Sequence, residues 1–245
     1  MQNIKLTLEY DGTNYSGWQI QKNTPHTIQQ RLQEALSRIN KKPVKVQGAS
    51  RTDAGVHAIG QTANCILEVD IPAERIPAAL NRLLPSDIIC RQAEYVSMNF
   101  HARYDNQGKK YRYRILNQKL PSVFLRNYVY HYIYDIDLDL LKEASQFFVG
   151  THDYTSFQAS GCAAKNPVKT IQDIKIINKN PEIWFEIKGD GFLYNMVRII
   201  IGTLIELSMG KISLSDIEKI LQARDRDMAG FTAPAEGLIL LEVYY

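Results

Sequence analysis

Two hydrophobic periods alternate along this 245-residue chain, and their order repeats. Apolar residues every second position mark strands, and apolar residues three and four apart mark helices. In the first half, Ile4, Leu6 and Leu8 alternate with Lys5, Thr7 and Glu9, as in a half-buried strand. Ile28, Leu32, Ala35, Leu36 and Ile39 keep helical spacing, with Thr27 and Gln30 as a capping box and Lys41-Lys42-Pro43 as the stop. Val44 and Val46 open a short strand, and 61–69 reads as another. Ile76, Ala79, Leu80 and Leu83 form a helical stripe halted by Pro85, and 88–96 is a further strand. The second half follows the same order. It has a strand over 110–116, then a helix through Leu140, Leu141, Ala144 and Phe147 between an Asp137 cap and a Gly150 stop. A strand pair over 171–177 and 182–188, a long helix over 193–209, a short one over 213–223 and a strand over 238–244 complete it. Each half therefore reads as βαββαβ, the ferredoxin-like unit. The expected fold is α+β. Two ferredoxin-like halves, 1–104 and 105–245, share a continuous, mostly antiparallel sheet with helices on one face and a central cleft. The division falls at the turn-like Asp105-Asn106-Gln107-Gly108.

Composition narrows the function classes. Hydrophobic residues make up 45% and charged residues 22%, enough apolar material for a sizeable core. A net charge of +3 does not mark a nucleic-acid binder, so any such role needs its positive charge gathered locally. Cys65, Cys90 and Cys162 are scattered, odd in number and form no CxxC pair. That argues against a disulfide framework or zinc site and for reduced, buried thiols. The opening Met1-Gln2-Asn3-Ile4-Lys5 lacks a signal-peptide pattern. The most apolar stretch, 192–207, is interrupted by Arg198 and falls short of the roughly 20 residues that span a bilayer. The expectation is a cytoplasmic protein without a membrane segment. Phosphate-loop, dinucleotide and nucleophile-elbow glycine motifs are missing, which speaks against nucleotide hydrolysis, redox and serine-esterase chemistry.

The richest segment is Gln47-Gly48-Ala49-Ser50-Arg51-Thr52-Asp53-Ala54-Gly55-Val56-His57-Ala58. Small residues surround one carboxylate, one guanidinium and one imidazole, and they let another chain approach the backbone. A carboxylate can act as a nucleophile, and a nearby arginine favours its ionised form. The plain alternative is a tight turn in which Asp53 caps a helix and pairs with Arg51. A third reading, a metal site on Asp53, His57 and His101, lacks the close ligand clustering of a metal motif.

From Phe100 to Arg114 the chain carries Arg103, Lys109, Lys110, Arg112 and Arg114 against one acid, Asp105. Cations interleaved with aromatics suit RNA, the cations meeting phosphate and the rings stacking on bases. On a strand, Tyr111, Tyr113 and Ile115 share one face and Arg112 and Arg114 the other. An ordinary strand with buried tyrosines and a solvated basic face fits equally well. Further on, Gly189-Asp190-Gly191-Phe192-Leu193-Tyr194-Asn195-Met196-Val197-Arg198 places an arginine early in an apolar helix. Such a charge needs an anionic partner, a carboxylate or a phosphate. Ala233-Pro234-Ala235-Glu236-Gly237-Leu238 is a turn into the last strand.

Together these segments resemble the tRNA pseudouridine synthase A (TruA) family. The resemblance rests on Tyr10-Asp11-Gly12-Thr13-x-Tyr15-x-Gly17-Trp18-Gln19-x-Gln21, on Arg51-Thr52-Asp53-Ala54-Gly55-Val56-His57-Ala58, on Phe100-His101-Ala102-Arg103 and on Lys110-Tyr111-Arg112-Tyr113. It continues through Asp153-Tyr154-Thr155-Ser156-Phe157, Gly191-Phe192-Leu193-x-x-Met196-Val197-Arg198 and Ala233-Pro234-Ala235-Glu236-Gly237-Leu238. These come in the family's order and cover almost the whole chain. Arg51 to His57 is the most specific run, and Ser50 departs from the glycine often found there. The resemblance implies isomerisation of uridine to pseudouridine at positions 38, 39 and 40 of the tRNA anticodon stem-loop, by a homodimer without a cofactor. Uridine and pseudouridine are isomers, so the reaction needs no external electrons, phosphate or methyl group. By the same resemblance Asp53 is the catalytic nucleophile, Arg198 its partner, Tyr111 the ring stacked on the target base and Leu238 a wall of the uracil pocket. Arg51 and His57 belong with the substrate-binding residues. Arg103, Lys109, Lys110, Arg112 and Arg114 are assigned to phosphates from charge pattern. The alternative is a non-catalytic RNA-binding protein on the same fold.

Overall fold

A computed structural model describes residues 1–161 and 166–245, so the expected thiol at Cys162 lies outside the described residues. In chain order the elements are β1 (Gln2–Tyr10), α1 (Ile28–Asn40), β2 (Val46–Gly48), β3 (His57–Leu67), α2 (Ile76–Asn81), β4 (Ile88–Val96), β5 (Gly108–Asn117) and β6 (Tyr130–Tyr132). There follow α3 (Leu138–Gln146), β7 (Gly150–Asp153), β8 (Val168–Lys179), β9 (Glu182–Gly189), α4 (Met196–Ser208), α5 (Leu214–Ala223) and β10 (Leu238–Tyr244). The fold is α+β with mostly antiparallel pairing. The chain divides into two compact units. The first comprises Met1–Gln107 with Ile239–Tyr245, and the second Gly108–Leu238. The closing strand, grouped by sequence order with 105–245, thus lies for the most part in the first unit, because it pairs with β3 there.

In the first unit β1 runs antiparallel to β3 on one side and to β4 on the other. β2 pairs antiparallel with β3, and β10 pairs parallel with it through Ile239–His57 and Leu240–Ala58. The alternation in β1 appears as burial: Ile4, Leu6 and Leu8 are fully buried, as are Leu32 and Leu36 of α1. Thr27 caps α1 by accepting from the Gln30 amide at 3.4 Å, but the Gln30 side chain donates to Glu34 and leaves the capping box half made. Lys41 ends the helix in the left-handed region, at φ 57°. β3 begins at His57, four residues ahead of the expected start at 61, because pairing rather than alternation sets its length. Cys65 and Cys90 are buried, and burial pushes both thiols up to about 12.

In the second unit β5 pairs with β9, β9 with β8 and β8 with β7, all antiparallel, and β6 runs parallel along β5. Asp137 caps α3 by accepting from the Asp139 and Leu140 amides, each at 3.0 Å. Gly150 opens β7 at φ +115° rather than stopping α3, which ends at Gln146. Helix α4 starts at Met196, not 193, because Asn195 takes a left-handed conformation at φ 60° and breaks the helical path. Its residues are almost all buried. At Gly202 a Cβ would lie 1.8 Å from the Phe231 carbonyl oxygen, so only glycine admits that backbone contact.

Candidate active site

The loop 49–56 joins β2 to β3 and carries Arg51 and Asp53. Its backbone is tied down on both sides of the carboxylate. The Ala49 amide donates to the Thr62 carbonyl at 2.8 Å. The fully buried Gln61 side chain accepts from the Ser50 amide at 3.2 Å and donates to the Ser50 carbonyl at 2.8 Å. Tyr10 Oη and Thr52 Oγ1 share a hydrogen bond of 2.7 Å, and Gln61 donates to the same Tyr10 oxygen at 3.3 Å. Beyond Asp53, the Gly55 amide reaches the Tyr15 carbonyl at 3.3 Å and the Val56 amide turns back to the Asp53 carbonyl at 3.1 Å.

The segment Tyr10–Trp18 lies backbone to backbone against this loop. The Trp18 amide donates to the Thr52 carbonyl at 3.0 Å. A Cβ on Gly12 would stand 2.0 Å from the Val56 oxygen, and one on Gly17, at φ +90°, 2.7 Å from the Thr52 oxygen. Those contacts explain why the sequence places glycine at both positions. Asp53 is half-buried. His57 is buried, and its Nδ1 lies 3.1 Å from the Gly12 amide and 3.1 Å from Asp11 Oδ1. In the bond with Gly12 the ring nitrogen accepts the amide hydrogen. Among the described residues no three His, Cys, Asp or Glu are placed to hold a metal ion, the Asp53–His57–His101 set included.

Arg51 is exposed. Partial burial and the charge of Arg103 both lower its pKa, while Tyr104 opposes them. Two cations therefore share one field, and no carboxylate pairs with either among the described residues. Arg103 sits on a braced turn, where Asn64 Oδ1 accepts from the Ala102 amide at 2.9 Å and Tyr245 Oη donates to the Ala102 carbonyl at 2.8 Å.

In the second unit, β5 presents Tyr111, Tyr113 and Ile115 to the interior and Lys110, Arg112 and Arg114 to the opposite face. The Tyr111 and Phe192 rings meet in a T-shape, 5.2 Å between centroids. Tyr113 donates to the Pro234 carbonyl at 2.8 Å, and burial first, then Glu236, raise its pKa well above the usual value. A Cβ on Gly237 would lie 2.7 Å from the Tyr113 ring, which fixes glycine just before Leu238. Leu238 is buried and Lys109 half-buried. Arg198, in the first turn of α4, donates from Nε to the Ala233 carbonyl at 2.6 Å and from Nη1 to Asn195 Oδ1 at 2.8 Å.

The basic face of β5 has partners that a local reading of sequence missed. Lys110 and Arg112 both pair with Glu186 on β9, which lies directly opposite Arg112. Arg114 forms a bidentate pair with Glu182, both bonds 2.8 Å, and the Trp184 indole N–H donates to the same carboxylate at 2.7 Å. The Arg112 guanidinium lies 4.1 Å above the Trp184 ring. Asn195, Asn64, Gln61 and Tyr245 were likewise not anticipated. Only Asn195 left a local signal, its place between the glycine-rich turn and an apolar helix.

The chain matches a family model described as tRNA pseudouridine synthase over residues 7–105 and 144–245. It is similar to the tRNA pseudouridine synthase A of Acetivibrio thermocellus, 50% identical over 245 residues that span 100% of both chains. A tRNA pseudouridine synthase A 2 of Clostridium tetani is 49% identical over 100% of this chain and 99% of its own. Among solved structures, a Cbf5-Nop10-Gar1 complex is matched at 13% identity with a TM-score of 0.36, over 97% of this chain and 48% of that one.

Proposed function

Since the chain belongs to the tRNA pseudouridine synthase family, an isomerase family acting on tRNA, we propose that Asp53 is its nucleophile and that Arg198 and Tyr111 complete the catalytic set. The reaction converts uridine to pseudouridine. The N1–C1′ bond breaks, the uracil turns while held, and C5 joins C1′. C5 gives up its proton and N1 gains one, so the product has the atoms of the substrate. An ionised carboxylate suits the nucleophilic step. The observation that carries the assignment is the bracing of the Asp53 loop: hydrogen bonds fix the backbone on both sides of one half-buried acid. Such pre-set geometry is what a reacting group needs.

In this reading Arg198 orients and neutralises the carboxylate, held in turn by Asn195 and the Ala233 carbonyl. Tyr111 stacks on the target base, braced by its edge-to-face contact with Phe192, and Leu238 walls the uracil. The target uridines are those at positions 38, 39 and 40 of the anticodon stem-loop, and the enzyme works as a homodimer. A stacked uridine must first be flipped out at a cost of a few kcal/mol, which phosphate contacts offset. Arg51 and Arg103 are the first candidates for those contacts, and Lys109 is a further one. Lys110, Arg112 and Arg114 join only by exchanging Glu186 and Glu182 for phosphate. His57 acts from behind, holding the Asp11–Gly12 turn against the loop.

Asp53→Asn keeps the shape of the side chain and removes its charge. The expected result is loss of pseudouridine formation with tRNA affinity within about tenfold, ~1.4 kcal/mol, of the parent. Undiminished turnover in that variant would falsify the nucleophile assignment.

A further inference from the structure

Tyr104 is an aromatic residue outside the core. Its side chain is 72% exposed, the most open of any tyrosine among the described residues. Yet the turn that carries it is held as firmly as a core segment. The His101 amide donates to Asp105 Oδ2 at 2.9 Å, and the Arg103 amide to His101 Nδ1 at 3.2 Å. Asn106 Nδ2 donates to the Arg103 carbonyl at 2.6 Å. Asn64, itself held by Asn3 at 3.0 Å, and Tyr245 hold Ala102 from both sides. The His101 ring lies 4.3 Å from the Tyr104 ring, and the Arg103 guanidinium 5.6 Å. Arg51 lies within electrostatic reach of Arg103 and Tyr104, Arg103 lowering its pKa and Tyr104 raising it.

Exposure alone would not single this ring out, since isolated apolar side chains are common on surfaces; its braced turn and adjoining guanidinium do. A rigid ring with an open face and guanidiniums beside it is the arrangement that receives an unstacked base together with its phosphate. We propose that Tyr104 is a stacking platform for an unpaired nucleobase of the tRNA, with Arg103 and Arg51 gripping an adjoining phosphate. This subsite is separate from the base-stacking role assigned to Tyr111, and it rests on tRNA being the substrate. The His101 ring packs beside Tyr104, and the Asn3–Asn64–Tyr245 network anchors the turn at Ala102.

The test uses the full chain and an unmodified tRNA transcript that the parent enzyme converts, so failure of the subsite is separated from failure of the substrate reading. Tyr104→Ala is expected to raise Kd about tenfold, within the range for one stacked base. Tyr104→Phe and Tyr104→Trp should restore affinity to within about twofold, since stacking needs the ring and not the hydroxyl. The slope of log Kd against log salt should be the same in all four proteins, because no phosphate contact is removed. Affinity unchanged in Tyr104→Ala overturns the platform. So does Tyr104→Phe binding as weakly as Tyr104→Ala, which would make the hydroxyl the active group.

Discussion

At single residues, charge is placed by neutral polar groups. The early arginine of the apolar helix calls for an anion when read from sequence. In the structure two of its donors also meet uncharged acceptors, Asn195 Oδ1 and the Ala233 carbonyl. Both acceptors lie close to Arg198 in the chain or at the turn before β10, and they set the plane of the guanidinium. Asn195 does this from a left-handed backbone at φ 60°, a region that asparagine and glycine tolerate better than other residues. Asn195→Gly therefore keeps the backbone and deletes only the acceptor. If Arg198 works on the Asp53 carboxylate, single-turnover rate should fall about tenfold, the worth of a hydrogen bond to a charged group. Affinity for tRNA should stay within about twofold, since no RNA contact is removed. An unchanged rate would leave Asn195 with no task beyond starting α4.

At the level of elements, the paired face of β5 and β9 makes a pH-dependent contribution to stability. Burial pushes Glu186 upward, but hydrogen bonds and charges from Lys110 and Arg112 outweigh it and hold the carboxyl below the usual glutamate range. Glu182 is governed the same way by Arg114 and Trp184. A depressed folded-state pKa stabilises fully above the unfolded value, about 4.3 for glutamate, and the gain disappears as pH falls through the folded value. The urea midpoint of the parent should drop as pH is lowered from about 6 to about 3, and part of that drop should vanish in Glu186→Gln. Parallel pH curves for the two proteins would contradict the ion-pair account. The same elements show what a sequence can display. Strands 88–96 and 238–244 were legible to the residue, because period-two burial and flanking turns are local. The alternation of Tyr111, Tyr113 and Ile115 was legible too. Glu182 and Glu186 were not, since the pairing that brings them to Arg114 and Arg112 spans some seventy residues. The start of α4 was missed because Leu193 continues the apolar spacing of the helix, while the left-handed Asn195 breaks its path. As a candidate nucleophile, Asp53 stood out chiefly through the resemblance of its surrounding run, as the bonds that brace its loop come from Tyr10, Tyr15 and Gln61.

Over the whole molecule, 29 basic residues face 26 acidic ones, and that near balance decides how tRNA can be held. With so small a surplus, affinity depends on cations that lack an acidic partner rather than on total charge. Among the described residues Arg51 and Arg103 are of that kind, while Arg112 and Arg114 are matched to Glu186 and Glu182. Each phosphate neutralised adds about 0.7 to 0.9 to the magnitude of the salt slope. Binding of tRNA measured between about 50 and 200 mM salt should therefore weaken steeply in the parent. Arg103→Ala should lower the slope by about one, as removal of a phosphate contact does. Arg114→Ala should leave the slope at the parent value, because its charge is already spent on Glu182. Equal losses of slope in the two variants would mean that the glutamates release their arginines to RNA on binding. The inner pairs would then be a reserve of positive charge exposed by the substrate itself.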